Sequence, residues 1–350
     1  MKPFRKNVAI AIDGGGIRGV IVTKALSMLE KELARPLHDV FRLTAGTSTG
    51  SIIAAGLASG LTAEHLYQMY LRLGREIFVR NLRTSLWFFF NHRYLTHPLE
   101  QTLRVYFDDK TIGDLWKADP ATDIVLTTFD IVENRTRFVK SYKSKYKNWP
   151  LVKAVLASSA APTYFPSVDG RFIDGGVGSY NNPCYLAAYE IQYRLPWKLE
   201  ETTLISIGTG RVPGQITQGA VDHFLPIQYI SPLIDAFSHS AADQQVDLVK
   251  KLFQRLDFRR FQVDLETPIA LDDAAKIPEM IHYGEQLGKM ILHDETDRAM
   301  RLAPDHVPSD TSRRLAPTKS ALRRQRNRSD SPAASRPRRS PESARARRRR

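Results

Sequence analysis

The sequence predicts an α/β fold with a mainly parallel central sheet, and the order of its first elements carries this prediction. Val8–Ile12 is a short apolar run between Lys6 and a glycine cluster, as expected of a buried strand. Apolar residues then recur at helical spacing over Val20–Leu33. A second apolar run, Val40–Ala45, precedes a small-residue helix predicted at Ser51–Leu61. Strand, helix, strand, helix in this order is typical of parallel strands with helices packed on them.

The rest of the chain continues the alternation less regularly. Strands are predicted at Ile124–Phe129, Arg137–Lys140, Phe172-Ile173 and Leu204–Ile207. Helices are predicted at Ala63–Phe78, Leu151–Ala161, after Asn182-Pro183, Pro232–Phe253 and Ala274–Leu292. No internal repeat is visible, so one α/β domain is expected from residue 1 to residue 303.

The charge of the chain is concentrated at its carboxyl end. The net charge is +14, but residues 311–350 contain 15 basic and 2 acidic residues. Large apolar residues nearly vanish from about Pro304, so this segment cannot bury enough surface to offset its ordering entropy. We therefore predict a disordered Arg/Ser/Pro-rich tail over 304–350. It could bind polyanions by charge alone, but it lacks the interleaved aromatics of a specific nucleic-acid site.

Cysteine usage and hydropathy bound the location of the protein. Cys184 is the only cysteine, so no intrachain disulfide can form, which fits a reducing compartment. The apolar run Val8–Ile12 is too short for a signal-peptide core, and no apolar stretch approaches the ~20 residues that span a bilayer. A cytoplasmic protein that can associate peripherally with the membrane is expected.

A serine stands at the centre of the short pattern Gly46-Thr47-Ser48-Thr49-Gly50. This is G-x-S-x-G between a predicted strand and a predicted helix, the setting of a nucleophile elbow. The small residues Gly46 and Gly50 let neighbouring chain approach the turn, and the helix dipole favours negative charge developing at Ser48. Alone the pattern is weak, because Ser/Thr/Gly turns commonly cap helices.

A glycine loop, Gly14-Gly15-Gly16, lies between the first strand and the first helix. Acyl transfer passes through an oxyanion that needs preorganised N–H donors, and bare glycine amides can supply them. The same residues also satisfy the dinucleotide pattern G-x-G-x-x-G through Gly19, with Asp39 twenty residues on. Against that alternative, Asp13 would place a carboxylate beside a pyrophosphate, and Asp39 precedes the second strand instead of following it.

A carboxylate follows the short run Phe172-Ile173, in the turn Asp174-Gly175-Gly176. A serine hydroxyl is a poor nucleophile until a neighbouring group takes its proton. A carboxylate shielded from water near the serine could do this, because desolvation raises its basicity. By itself, however, Asp-Gly-Gly is a very common turn.

Together these patterns resemble the patatin-like phospholipase family. Gly14–Gly19 is similar to its oxyanion motif, with Arg18 as the basic member, and the serine and Asp-Gly-Gly patterns are similar to its two catalytic motifs. Further similar blocks are Ala157–Phe165 and Ile205–Gly210. The resemblance covers about residues 6–295, with all motifs in family order.

The resemblance implies a three-layer α/β/α fold and a Ser–Asp dyad without histidine. Ser48 would attack the ester carbonyl of a membrane phospholipid or other acyl lipid, and Asp174 would be the base. Gly14, Gly15 and Gly16 would hold the oxyanion, and Arg18 would support that loop or face a headgroup. No metal or cofactor is implied.

Two alternatives remain open from the sequence. An ordinary triad would combine Ser48 and Asp174 with a histidine at 223, 239 or 282, and a non-catalytic scaffold on a hydrolase fold would use neither. Separately, the aromatic run Leu86–Phe90, flanked by arginines, is either a peripheral membrane contact or part of the core of a helical insertion.

Overall fold

The computed structural model describes residues 1–78, 91–118, 121–213, 222 and 230–301. A seven-stranded sheet lies at the centre of this part of the chain. Its strands are β1 (Asn7–Ile12), β2 (Leu43–Gly46), β3 (Asp123–Asp130), β4 (Arg135–Lys140), β5 (Phe172–Asp174), β6 (Thr202–Ile207) and β7 (Asp257–Phe261). The order is β4-β3-β2-β1-β6-β7, with β5 beside β3. Only β4 and β5 pair antiparallel, so the predicted mainly parallel sheet is confirmed.

Helices cover both faces of the sheet. In chain order they are α1 (Gly19–Leu33), α2 (Thr49–Ala58), α3 (Ala63–Glu76), α4 (Thr96–Phe107), α5 (Asp114–Lys117), α6 (Leu151–Ser159), α7 (Cys184–Tyr193), α8 (Ile230–Leu252), α9 (Ile277–His293) and α10 (Arg298–Arg301). Short 3-10 turns connect several of them.

Two hydrophobic cores separate the three layers. Along β1, Ile10 and Ile12 face a core shared with α1, α2, α3 and α9. Ala9 and Ala11 point to the opposite core, which α7 and α8 complete. This alternation follows from the period of two along a strand, and all four side chains are fully buried. The predicted three-layer α/β/α arrangement is therefore confirmed.

Some predicted element boundaries are wrong. The second strand begins at Leu43, not at Val40, because Leu37–Asp39 form a 3-10 turn whose carbonyl at Leu37 accepts the amides of Val40 and Phe41. Helix α4 and strand β7 have no counterpart in the sequence-based prediction. β7 reads as polar, because Arg259 and Arg260 interrupt its apolar pattern.

The ends of β2 and β5 meet on one edge of β3. β2 pairs with the first half of β3 as far as Leu126, and the antiparallel β5 pairs with the second half from Thr128. Because the two strands approach from opposite directions, their carboxyl ends face each other across Thr127. The residues that follow β2 and terminate β5 are therefore brought together by the sheet itself.

Two predicted segments fall outside the described residues. These are the aromatic run Leu86–Phe90 and the basic tail 304–350. The described residues belong to a compact unit that spans Met1–Leu302. Among the helices that can be described, none is both long enough and apolar enough to cross a membrane.

Candidate active site

Ser48 occupies a strained turn between β2 and α2. Its backbone lies at φ 54° and ψ −125°, a region that L residues rarely adopt. A Cβ on Gly46 would overlap the carbonyl of Gly50, and a Cβ on Gly50 would overlap the carbonyl of Ile12. Glycines at 46 and 50 are thus required by packing, which is the close approach expected of a nucleophile elbow.

Neighbouring serines hold the elbow in place. The amide of Ser48 donates to the hydroxyl of Ser158 at 3.0 Å, which links the turn to the end of α6. The carbonyl of Ser48 accepts from both the amide and the hydroxyl of Ser51, at 2.8 and 2.6 Å. These bonds fix the backbone of Ser48, whose side chain is half-buried.

Asp174 lies beside Ser48 at the end of β5. Its carboxylate is only 7% exposed, lies near the side chain of Ser48, and accepts the amide of Gly176 at 2.8 Å. Burial raises the pKa of Asp174 to about 6, and the nearby Ser48 side chain and the Gly176 amide oppose that rise only in part. At neutral pH the group is therefore mostly ionised, yet more basic than an exposed aspartate.

The glycine loop presents unpaired amides. Gly14 donates its N–H to the carbonyl of Asn181 at 3.0 Å, so this amide is engaged. Within the described part of the chain, nothing accepts the N–H groups of Gly15 and Gly16, nor that of Thr49 at the start of α2. These three amides belong to the residues that follow Gly14 and Ser48 in the chain, and they are the candidate donors to an oxyanion.

Close contacts explain why the loop is built from glycine. An added Cβ on Gly14 would lie 3.1 Å from the Cβ of Ser48 and would overlap the side chain of Asn181. Gly16 has φ 58°, and a Cβ there would overlap the carbonyl of Leu271. Larger residues would push the loop away from the serine or strain its backbone.

A buried ion pair anchors the loop at its base. Arg260 on β7 donates to both carboxylate oxygens of Asp13, at 2.7 and 2.5 Å, and to the hydroxyl of Ser206 at 2.9 Å. Both members of the pair are 3% exposed. Since Asp13 immediately precedes Gly14, this pair fixes where the glycine loop begins.

Arg18 lies on the far side of the loop. Its Nε donates to the carbonyl of Gly15 at 3.2 Å, and a guanidinium nitrogen lies 3.5 Å from the carbonyl of Gly210. Thr209 adds a hydroxyl bond to the carbonyl of Gly14 at 2.8 Å. The loop carbonyls are thereby held away from the unpaired amides.

The alternatives to a dyad find little support in the geometry. His282 lies on the exposed face of α9 and is hydrogen-bonded to Gln286. His239 is close enough to Asp13 to affect its pKa, but does not contribute to that of Asp174. His223 lies outside the described residues. Asp39 sits in the turn before β2, at the opposite edge of the sheet from the glycine loop.

Four residues support the site, and the sequence pointed to only two of them. Ser158 lies in the block Ala157–Phe165, and Thr209 follows β6, so both had a signal in the family resemblance. Asn181 and Arg260 had none, because each acts through a contact distant in sequence. In the described ranges, no three His, Cys, Asp or Glu side chains converge as metal ligands would.

The part of the chain that contains these motifs matches known proteins. The family profile described as "Patatin-like phospholipase" matches residues 10–188. An "Intracellular phospholipase A2" from Caenorhabditis elegans is 30% identical in an alignment of length 241 that covers 64% of this chain and 21% of that protein. A "cGAMP-activated phospholipase" from Pseudomonas aeruginosa is 31% identical over 222 residues, 60% of this chain and 65% of the relative.

A solved structure, VipD from Legionella pneumophila, aligns with 82% of this chain and 67% of its own, at 10% identity and a TM-score of 0.39. The chain spans about a fifth of the length of the nematode relative.

Proposed function

This chain belongs to the patatin-like phospholipase family, whose profile matches more than half of it, and we propose that it is a serine lipid acyl hydrolase. The reaction is hydrolysis of fatty acyl esters, of the phospholipase A or lysophospholipase type. Ser48 is the nucleophile and Asp174 the base. The relatives named phospholipases support the reaction class.

The observation that carries the proposal is the position of the buried Asp174 carboxylate next to the side chain of Ser48. A serine hydroxyl needs an adjacent base, and a base works best when its pKa lies near the working pH. Burial raises the pKa of Asp174 to about 6, which leaves it ionised and ready to accept a proton at pH 7.

In the first half of the reaction, Ser48 Oγ attacks the acyl carbonyl while its proton passes to Asp174. The negative charge that develops on the carbonyl oxygen is received by the amides of Gly15 and Gly16, with that of Thr49 as a third donor. The amide of Gly14 already donates to the carbonyl of Asn181. Because Gly14 has no Cβ, the glycine loop can lie close to Ser48. Collapse of this intermediate expels the alcohol, which takes the proton from Asp174.

In the second half, a water molecule replaces the alcohol. Asp174 removes its proton, the resulting hydroxide attacks the acyl-serine, and Ser48 leaves with the proton returned by Asp174. Fatty acid is released and the free enzyme is restored. Only protons move through the protein, so this chemistry needs no metal or cofactor.

The substrate class follows from the family. Phospholipase relatives support a membrane phospholipid or another acyl lipid as substrate. Such an enzyme meets its substrate at a membrane, which makes peripheral membrane association part of the proposal. The aromatic run Leu86–Phe90 is one candidate contact, and replacing Phe88 and Phe89 by serine tests it through vesicle binding.

The experiment that tests the function is hydrolysis of a medium-chain p-nitrophenyl ester and of phospholipid in mixed micelles. Wild type is compared with Ser48→Ala and Asp174→Asn. We expect turnover by wild type and a fall of more than about 10³-fold in kcat for each variant, since dyad members act as a unit. The kcat/KM of wild type should also fall below pH 6, as Asp174 becomes protonated.

Matched controls separate chemistry from folding. Ser167→Ala and Asp109→Asn change exposed residues away from the site and should retain wild-type turnover. His239→Ala should do so as well. Full activity of folded Ser48→Ala would refute the proposal, and loss of activity in folded His239→Ala would favour a triad.

A further inference from the structure

The turn between β3 and β4 exposes two aliphatic side chains. Ile131 is 51% exposed and Val132 is 67% exposed. Exposed turns are usually built from Gly, Pro, Asn, Asp or Ser, whose backbone and side chains suit a solvated corner. A pair of β-branched aliphatic residues at such a corner leaves apolar surface in water that a partner could cover.

The register of the sheet places this turn beyond the candidate site. Asp174 pairs with Thr128, and Ile131 follows Thr128 by three residues, just past the end of β3 at Asp130. At a rise of about 3.3 Å per residue, the turn projects about 10 Å past the level of Asp174. It does so at the carboxyl edge of the sheet, where the elbow of Ser48 also lies.

Polar contacts fix the turn while leaving its apolar side chains outside. The amide of Ile131 donates to the carbonyl of Arg171 at 2.9 Å. Asp130 and Glu133 each pair with Arg137 and Arg171, so these four charges compensate one another. These contacts hold the turn in the position that exposes the side chains of Ile131 and Val132.

A second turn, packed against β4 of the same hairpin, also exposes an aliphatic side chain. Val177 is 50% exposed and follows Asp174 by three residues. Its turn is held against β4, since the hydroxyl of Thr136 donates to the carbonyl of Gly178 at 3.3 Å. Arg135, at the base of the hairpin, is exposed and forms no ion pair with any described residue. The edge thus combines apolar side chains with one uncompensated positive charge.

We propose that the tip formed by Ile131 and Val132, with Val177 beside it, is a membrane-contact surface. The tip enters the boundary between headgroups and acyl chains of an anionic bilayer and brings the edge that holds Ser48 and Asp174 to the lipid. The choice of a lipid surface rests on the proposed function, because an enzyme whose substrate is embedded in a bilayer must present its site to it. The apolar tip and the cationic base suit such an interface.

The test measures membrane binding separately from turnover. In a Ser48→Ala background, the full chain is sedimented with vesicles of phosphatidylcholine and phosphatidylserine. The comparison is between this protein and the same protein with Ile131→Ser and Val132→Ser. The salt is about 0.5 M, so that attraction through the basic tail is screened. We expect the vesicle partition coefficient to fall roughly tenfold, because two aliphatic side chains no longer leave water.

Tyr193→Ser is the matched control. Tyr193 is 62% exposed but ends α7 at the amino edge of the sheet, opposite the candidate site, so its removal should not change partitioning. When Ser48 is left intact, the variant with Ile131→Ser and Val132→Ser should lose hydrolysis of vesicle phospholipid. It should retain the kcat/KM of wild type for the soluble ester within about twofold.

The outcomes are distinct. An unchanged partition coefficient in the Ile131/Val132 variant overturns the proposal, and so does an equal loss of soluble-ester and vesicle hydrolysis, which would indicate a structural role. Wild type that binds no vesicles overturns it as well. Absence of ester hydrolysis by wild type refutes the proposed function instead, and the sedimentation result still decides whether the tip contacts lipid.

Discussion

The raised pKa that suits Asp174 to the proposed proton transfer comes at the expense of stability. Its pKa rises from 3.8 to about 6 because it is buried. A carboxyl group with a raised folded-state pKa stabilises the protein most below its unfolded pKa, and that stability is lost as the pH rises through about 6. At neutral pH, Asp174 is therefore ionised in the folded protein, although its buried environment favours the protonated form.

Asp174→Asn should accordingly abolish ester hydrolysis and stabilise the fold. The amide keeps a hydrogen-bond acceptor for Gly176 but carries no charge. We expect its free energy of unfolding to exceed that of wild type by up to about 3 kcal/mol at pH 8, with the difference vanishing near pH 4. Urea unfolding at both pH values measures this, with exposed Asp109→Asn as control. A variant less stable than wild type at pH 8 would contradict the stated cost of burial.

The backbone of Ser48 leads to a second prediction. At φ 54° and ψ −125°, a glycine is less strained than any L residue. Ser48→Gly and Ser48→Ala both remove the nucleophile, but only glycine relieves the strain, which is typically about 1–3 kcal/mol. After allowance for the greater unfolded-state entropy of glycine, we expect Ser48→Gly to be about 1 kcal/mol more stable than Ser48→Ala.

Thermal unfolding of the two inactive proteins compares them directly. Ser167→Gly and Ser167→Ala, at an exposed position whose φ is not positive, provide the reference pair, and there the glycine should be the less stable. The same order at position 48 would mean that the elbow is not strained.

At this scale the sequence predicted the candidate reacting groups but not the residues that support them. Ser48 and Asp174 stand in short local patterns, because an elbow and a glycine turn are made by adjacent residues. The contacts of Ser158, Asn181 and Arg260 join residues far apart in the chain, so no local spacing encodes them. The engagement of the Gly14 amide is likewise visible only in three dimensions.

At the scale of elements, an ion pair clasps two strands that do not adjoin in the sheet. Arg260 on β7 reaches past β6 to Asp13 at the end of β1. This contact explains why β7 escaped prediction. Its arginines read as solvent-exposed, yet Arg259 and Arg260 are each 3% exposed and paired with Asp257 and Asp13. Charged residues are buried in this way only when they are paired.

Breaking this pair should damage both the fold and the site. Arg260→Met leaves the carboxylate of Asp13 buried without a partner, and we expect a loss of about 3–5 kcal/mol in the free energy of unfolding. Activity should fall too, because the glycine loop starts at Asp13. The double variant Asp13→Asn/Arg260→Met should be destabilised by less than the sum of the single effects. The reason is that Asp13→Asn removes the carboxylate charge that Arg260→Met leaves unpaired.

The exposed pair Arg72–Glu76 on α3 is the control. Its nitrogen–oxygen distance is 2.7 Å, but both side chains are more than 40% exposed. Arg72→Met should therefore change stability by no more than about 0.5 kcal/mol. Additive effects at Asp13 and Arg260 would show that the two residues are not energetically coupled.

At the scale of the whole molecule, the parallel sheet brings separate motifs to one edge. The loops after β1 and β2 hold Gly14–Gly16 and Ser48, because carboxyl ends of parallel strands meet there. β5 adds Asp174 from the opposite direction, alongside β3. The sequence predicted the sheet from strand–helix alternation. It did not predict that β5 would meet β2 end to end, because a three-residue strand carries too little pattern to fix its register.

The final prediction concerns how charge is divided along the chain. Residues 304–350 hold 15 of the 51 basic residues and 4 of the 37 acidic ones, so their removal lowers the net charge from +14 to +3. The segment contains few large apolar residues, so it has little surface to bury against a folded domain. A chain ending at residue 303 should therefore retain the thermal midpoint and the soluble-ester kcat/KM of the full chain.

What that truncation should lose is affinity for polyanions. Attraction by charge alone weakens steeply with salt, so the full chain should elute from heparin at a higher salt concentration than the truncated chain. Equal elution would place the heparin contact within residues 1–303. A fall in ester hydrolysis or thermal midpoint on truncation would instead make the tail part of the folded enzyme, contrary to its composition, whose scarcity of large apolar residues gives it little surface to bury.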